Sequence, residues 1–197
     1  MKTILSIILL AVLGTSYGQN FTKELATAKS SYAAGKLEDT HFALQQLLQE
    51  LDITIGKEVI KLLPAKMKTL NQNTTDDNVS ANIGFIGATI HRSYGTGDKT
   101  AELEIINNSP LISTLNTFLT SPLLAGLGSN GNSKVIKVQG YKGRLTKEEG
   151  DGGKTDYKLE LPYSNALLMF NVANTTESDI IAMANTIPLE KIGKLIQ

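Results

Sequence analysis

The sequence predicts an α+β protein in which an N-terminal helical hairpin precedes a mainly antiparallel sheet with a crossover helix and C-terminal helices. Up to Pro64, apolar residues recur every three or four positions, as on one face of a helix. After residue 81 the period changes to two, as in half-buried strands, and glycine-rich stretches separate the strands. Near the C-terminus a helix-forming composition returns and is interrupted at Pro188.

The first 18 residues have the three-part layout of a secretory signal peptide. Lys2 precedes an apolar run over residues 4–13, and Ser16-Tyr17-Gly18 follows. This run has about half of the ~20 residues that cross a bilayer, so it does not suit a membrane anchor. We therefore expect cleavage near Gly18, a mature chain that begins at Gln19 without a transmembrane span, and a periplasmic or secreted location.

Composition limits the classes of function. The chain has no cysteine, which excludes disulfides and thiolate metal sites, and exported eukaryotic domains of this size usually contain cysteines. The bacterial periplasm or exterior is thus favoured. Lysine and arginine number 19, as do aspartate and glutamate. This balance provides no electrostatic footprint for nucleic acid or anionic lipid, so we expect neither as a partner.

Residues 19–64 are interpreted as the helical hairpin. Gly35 stands where a C-terminal cap would end the first helix, and the second helix stops at Pro64. Part of the hairpin resembles half of a tetratricopeptide-type repeat, but no second copy follows, and a single repeat cannot bury its own face. The periodic leucines of the second helix are Leu44, Leu47, Leu48 and Leu51.

Residues 65–80 are rich in Asn, Thr, Asp and Gln without an apolar period, so we expect an exposed connecting loop and a possible domain boundary. Residues 81–197 are interpreted as the sheet domain. Its predicted strands cover 83–94, 99–106, 134–138, 141–146, 155–161 and 166–172, with reversals at 95–98 and 150–153.

Two short helices are predicted to close the chain. The first runs over residues 177–186 with Thr175 or Thr176 as its N-cap, and the second places Leu189, Ile192 and Leu195 on one face. The expected order after residue 81 is two strands, a helix, four strands and a helix. Such an order is typical of an α+β sandwich.

The chain resembles uncharacterised secreted bacterial proteins. The resemblance rests on Leu63-Pro64 before the first strand, the uncharged crossover, Gly140 in the central hairpin and Ile187-Pro188-Leu189 near the end. It covers most of residues 60–196, and the fold it implies is similar to the small sandwich of the PsbP and Mog1 type. It implies no known activity and no catalytic residues.

The interval 105–133 contains no charged residue and no histidine. Its apolar stripe is either a crossover helix packed across the sheet, which we favour, or an exposed surface for lipid, a hydrophobic ligand or a protein partner. The binding candidates that follow from the second interpretation are Leu111, Leu115, Phe118 and Leu119.

A second candidate site combines His91, Arg92 and Tyr94 at the end of the first predicted strand of the sheet domain. These residue types suit an anionic ligand, although a solvated strand end explains them equally well. His91 could also serve a metal-dependent hydrolase if folding assembled carboxylates around it.

Two further patterns favour turns over ligand sites. The glycine-rich run 126–131 has the spacing of a dinucleotide-binding fingerprint, but it leaves a helix and enters a strand, which is the reverse of the required order. Glu148, Glu149 and Asp151 could surround calcium, yet their spacing fits no known calcium loop and favours an acidic turn. We therefore predict no metal, cofactor or catalytic residue.

The sequence thus favours a noncatalytic protein that binds a protein partner in the bacterial envelope through the hairpin or the crossover. The alternatives are a carrier of a hydrophobic ligand and the hydrolase at His91.

Overall fold

A computed structural model of the chain describes residues 16–81, 87–121 and 132–196. It confirms the predicted α+β class, with two N-terminal helices followed by an eight-stranded antiparallel sheet and further helices. The chain divides between Leu51 and Asp52 into two compact units, here called the hairpin unit and the sheet unit. The apolar run of the predicted signal peptide and the glycine-rich run 126–131 lie outside the described residues.

The predicted helical hairpin is confirmed. Helix α1 covers Ser16–Ala33 and helix α2 covers Leu37–Leu62, so α2 begins in the hairpin unit and ends in the sheet unit. Gly35 joins them with a φ of 72°, a left-handed conformation that favours glycine. Within the hairpin unit, Ala28 of α1 packs with Ala43 and Leu47 of α2 in a narrow apolar seam.

The strands form one sheet in the order β1-β2-β3-β4-β8-β7-β6-β5. All described neighbours are antiparallel, as predicted. The strands are β1 Lys66–Met67, β2 Leu70–Ala81, β3 Ala88–Thr96, β4 Lys99–Asn107, β5 Ser133–Val138, β6 Tyr141–Glu149, β7 Thr155–Tyr163 and β8 Ala166–Val172.

The expectation of a loop over residues 65–80 is wrong, because this segment forms β1 and the long strand β2. Strand β1 pairs only with Leu70 and Asn71, so most of the outer edge of β2 stays open to solvent. Polar side chains are compatible with a strand in this position. Side chains also bond across to β3: Asn73 Nδ2 donates to the carbonyl oxygen of Gly95 at 2.8 Å, and Ser93 Oγ donates to Asp76 Oδ2 at 2.6 Å. A β-bulge between Asn73 and Asn78 interrupts the ladder.

The two faces of the sheet are covered differently. On the inner face, alternating residues of the strands, such as Leu103 and Phe170, are fully buried. They form one core with the end of α2 and with helices α4, Glu177–Ala184, and α5, Leu189–Leu195. On the outer face, helix α3, Leu111–Thr120, contacts β6, β7 and β8. The N-cap prediction for α4 is confirmed, since the Thr176 side chain accepts a hydrogen bond from the Asp179 amide.

Gly56 allows close approach of α2 to the inner face of the sheet. A Cβ at this position would lie 2.4 Å from Val79 Cγ1 and 3.2 Å from Ile90 Cγ1. Val79 is β-branched and cannot easily rotate away. The absence of a side chain at Gly56 therefore sets the distance between the helix and strands β2 and β3.

We expect Gly56→Ala to lower the free energy of unfolding by about 1–2 kcal/mol, because overpacking outweighs the gain in helix propensity. Gly193→Ala in α5 is the matched control, since the nearest atom to its added Cβ lies at 3.8 Å. This control should be neutral or stabilising. Urea unfolding followed by circular dichroism measures both, and equal effects of the two substitutions would refute the close-approach explanation.

Candidate functional site

The uncharged crossover contains helix α3, which packs on the outer face of the sheet. Leu115 and Leu119 are 5% and 7% exposed and form a cluster with Leu167 of β8. Phe118 is partly buried against the same cluster, whereas Leu111 is 54% exposed. Helix α3 is therefore packed across the sheet, in agreement with the favoured interpretation of the crossover. Of the four binding candidates in this stretch, Leu115 and Leu119 are buried against the sheet, although Leu115 still lines part of a groove beside the helix.

A groove runs beside α3, with a volume of about 600 Å³. Its apolar lining includes Leu111, Phe118 and Leu167. Arg144 and Glu160 form a polar part of the lining and are joined by an ion pair of 2.5 Å between Nη2 and Oε2. The Arg144 guanidinium carbon also lies 5.1 Å from the centre of the Phe118 ring. The groove thus combines an apolar surface with a paired, oriented cation.

Sequence reasoning did not identify Arg144 and Glu160. They stand on different strands and meet because β6 pairs with β7 in a register that places Arg144 opposite Glu160. The spacing of the two residues in the sequence does not indicate this pairing. Only knowledge of the register would have revealed it.

The second candidate group does not form one site. Alternation along β3 places Arg92 and Tyr94 on the buried inner face and His91 on the outer face. His91 stands opposite Glu104 of β4 and is partly exposed. Within residues 16–81, 87–121 and 132–196, no group of three or more His, Asp or Glu side chains could hold a metal ion.

Arg92 is engaged in the fold. Its Nε and Nη2 donate to the two carboxylate oxygens of Asp77 at 2.8 and 2.6 Å, and Nη1 donates to the Leu63 carbonyl oxygen at 3.3 Å. The hydrogen bond to Asp77 raises the pKa of Arg92, so this side chain stays charged although it is only 4% exposed. Burial raises the pKa of the neighbouring Tyr94 to about 12. Arg92 therefore ties the end of α2 to β2 and β3 and is not available to an external anion.

The acidic residues near the β6–β7 turn are also dispersed. Glu148 and Glu149 are exposed at the end of β6, and their strand partners are Asp156 and Thr155. The side chain of Asp151 lies outside the described residues. The favoured interpretation, an acidic turn, requires nothing more of these residues.

The hairpin unit carries a large exposed apolar surface. Seven large apolar side chains of its two helices are each between 39% and 69% exposed. We call this surface the hairpin apolar face. Its members are Phe21, Leu25 and Tyr32 of α1 and Leu37, Leu44, Leu48 and Leu51 of α2.

Helical geometry places these seven residues on a common face. At about 100° per residue, the apolar stripe of each helix lies within about a quarter-turn of the seam formed by Ala28, Ala43 and Leu47, and in the same rotational sense. Because the helices of a hairpin run in opposite directions, displacement in the same rotational sense brings both stripes to the same side of the pair. Phe42 lies about 150° around α2 from its stripe by the same count and is 61% exposed.

Sequence reasoning named the hairpin as a possible contact surface without naming these residues. The leucine repeat in α2 was the available signal. Only Leu47 of the repeat belongs to the seam, whereas Leu44, Leu48 and Leu51 are exposed. The apolar stripe of α2 is therefore wider than packing against α1 alone requires.

Comparison with protein-family models, with curated proteins and with solved structures finds no match in any of the three. Among the described helices, none has both the length and the apolar character of a membrane span. The interpretation of the candidate sites therefore rests on the geometry of this chain alone.

The packing of α3 predicts a contrast between two leucines of the same helix. Leu115→Ala should lower the free energy of unfolding by about 2–4 kcal/mol, because it empties a buried position. Leu111→Ala should change it by less than about 0.5 kcal/mol, because Leu111 is exposed. Chemical denaturation measures both values. Similar effects at the two positions would contradict the packing of α3 on the sheet.

The Arg92–Asp77 pair predicts a large loss of stability when one partner is neutralised. Asp77→Asn should lower the free energy of unfolding by about 3 kcal/mol, because it leaves the buried guanidinium uncompensated. Asp98→Asn is the control: Asp98 pairs with Lys154 but its side chain is 82% exposed, so little change is expected. If thermal and urea unfolding respond equally to both substitutions, Arg92 is not the tie described above.

Proposed function

We propose that this protein is a noncatalytic, exported bacterial protein that binds a protein partner through the hairpin apolar face, with the sheet unit as a stable scaffold. The observation that supports the proposal is the exposure of seven large apolar side chains on one face of a two-helix unit. Monomeric proteins rarely leave such patches uncovered, and large ones usually mark interaction sites.

The size of the face supports a binding role. A fully exposed aromatic side chain contributes about 150–250 Å² and a leucine somewhat less, so the observed exposures correspond to roughly 600–700 Å². The largest apolar patch of a typical monomer is about 300–600 Å². At about 25 cal/mol per Å², covering such an area would provide a substantial driving force for association.

The charge of the hairpin favours a protein over a membrane surface. Between residues 21 and 51 there are three lysines, Lys23, Lys29 and Lys36, and four acidic residues, Glu24, Glu38, Asp39 and Glu50. Helices that lie on anionic membranes carry an excess of basic residues beside their apolar face. A partner that offers apolar side chains fits the neutral hairpin better than a lipid headgroup does.

The sequence supports the proposal of export, and the placement of side chains supports the proposal of a noncatalytic role. The signal-peptide pattern of residues 1–18 supports export. The charged groups that were candidates for chemistry do not converge: Arg92 is paired with Asp77, and His91 lies on the opposite face of β3.

The groove beside α3 favours a second candidate function, the carriage of an amphipathic small molecule. Its volume of about 600 Å³ falls in the range of ligand pockets, and Arg144 could orient a polar group while Leu111 and Phe118 contact a hydrocarbon. Native mass spectrometry of gently extracted protein would reveal a bound ligand. Protein that carries no added mass would count against this role.

The proposed function predicts position-dependent cross-linking in the cell that produces the protein. A photoreactive amino acid in place of Leu48 should form a protein adduct on illumination, because this position would lie in the interface. The same group in place of Phe42 is the matched control, since Phe42 is exposed on the same helix but lies away from the hairpin apolar face. Electrophoresis and mass spectrometry of the adducts measure the difference.

Two controls complete this experiment. Circular dichroism of both purified variants must show the same helix content, so that a loss of adduct does not reflect unfolding. Adducts of equal yield from the two positions, or no protein adduct from position 48, would overturn the assignment of the hairpin apolar face as the binding surface.

A further inference from the structure

We infer that the partner of the hairpin apolar face is a second copy of this chain, so that two hairpins associate into an antiparallel four-helix bundle. This inference rests on the proposed function, because it names the occupant of the same face. It follows from the pattern of the stripe, the area it offers and the placement of charge.

The pattern is that of a helix in a bundle. Two helices that pack only on each other need a narrow seam of two apolar positions in seven, whereas bundle helices carry three. In α2, Leu44, Leu47 and Leu48 occupy three such positions, and Leu51 begins the next set. Leu47 belongs to the seam with α1, and the other three are left for helices outside the hairpin.

In α1 the pattern is similar. Phe21, Leu25, Ala28 and Tyr32 are separated by four, three and four residues. Ala28 lies in the seam, and the three larger side chains are exposed. Both helices therefore present the same kind of surface, which suits a partner that is also a pair of helices.

The area matches a dimer. A stable protein interface buries about 800 Å² on each partner, and the seven side chains alone offer roughly 600–700 Å². The polar residues at the rim of the face would supply the remainder. The face is thus large enough for a specific dimer and does not need an extension onto the sheet unit.

The distribution of charge permits self-association. A two-fold symmetric interface places each patch against an identical patch, so a charged residue near its centre would face its own kind or be desolvated. The seven residues of the hairpin apolar face carry no charge, and Glu38 and Asp39 lie beyond its edge on the wheel of α2. Lys29 of α1 is exposed and lies about 40° beyond Leu25, at the edge of the face. Two copies can therefore pair with Lys29 at the rim, where its long side chain can keep the ammonium group in water.

Sedimentation velocity of the chain purified from producing cells tests this inference, with its N-terminus determined by mass spectrometry. We expect twice the chain mass at about 50 µM, because interfaces of this size dissociate at micromolar concentrations or below. The double substitution Leu44→Glu with Leu48→Glu should weaken the dimer on the order of 100-fold or more and produce monomer. Phe42→Glu is the control and should remain a dimer.

The outcomes separate this inference from the function on which it rests. Wild-type protein that is monomeric at this concentration would overturn the second copy as occupant, whether the face is free or covered by a retained N-terminal segment. Cross-links from position 48 to a different protein would overturn it as well, while the binding role of the face would stand. Dimers that persist in the folded double variant would show that another surface pairs. A position-48 adduct composed only of this chain would support both proposals.

Discussion

Three backbone segments of the sheet unit meet at the guanidinium of Arg92. One charge, only 4% exposed, bonds both carboxylate oxygens of Asp77 in β2 and the carbonyl oxygen of Leu63 just beyond α2. A buried cation that lost these partners would carry a large desolvation penalty, so the end of α2 and the middle of β2 are constrained to remain beside β3. Gly56 serves the same arrangement, because it allows α2 to lie directly on β2 and β3.

The two compact units have opposite surface properties. In the sheet unit, α2, α4 and α5 cover the inner face, and α3 covers part of the outer face. The hairpin unit buries only Ala28, Thr40, Ala43 and Leu47 among residues 21–51, and leaves most of its large apolar side chains in water. The covered core and the exposed helical surface therefore occupy different parts of one chain.

Much of the fold was predictable because the alternation in six strands is strong and glycine turns separate them. Strand β2 was missed because its side chains are polar, and their partners, Ser93 and Arg92, are known only once β3 is placed beside it. The candidate sites were harder to predict. Leu111 and Leu115 look alike in sequence, and only packing on Leu167 distinguishes the exposed residue from the buried one. The partnership of Arg144 with Glu160 required the strand register, whereas the wide leucine repeat of α2 was already visible.

The sheet ends in β1, which has only two residues, and in β5, in which Lys134 and Lys137 are exposed. Charged side chains on a terminal strand discourage another sheet from adding its own strand there, whereas on the β2 side β1 covers only Leu70 and Asn71. Strand addition at the β5 edge is thereby disfavoured in a chain that has no disulfide to restrain it. The association proposed for the hairpin apolar face uses helices instead, and a two-fold symmetric pair of this kind closes as a finite assembly rather than a fibre.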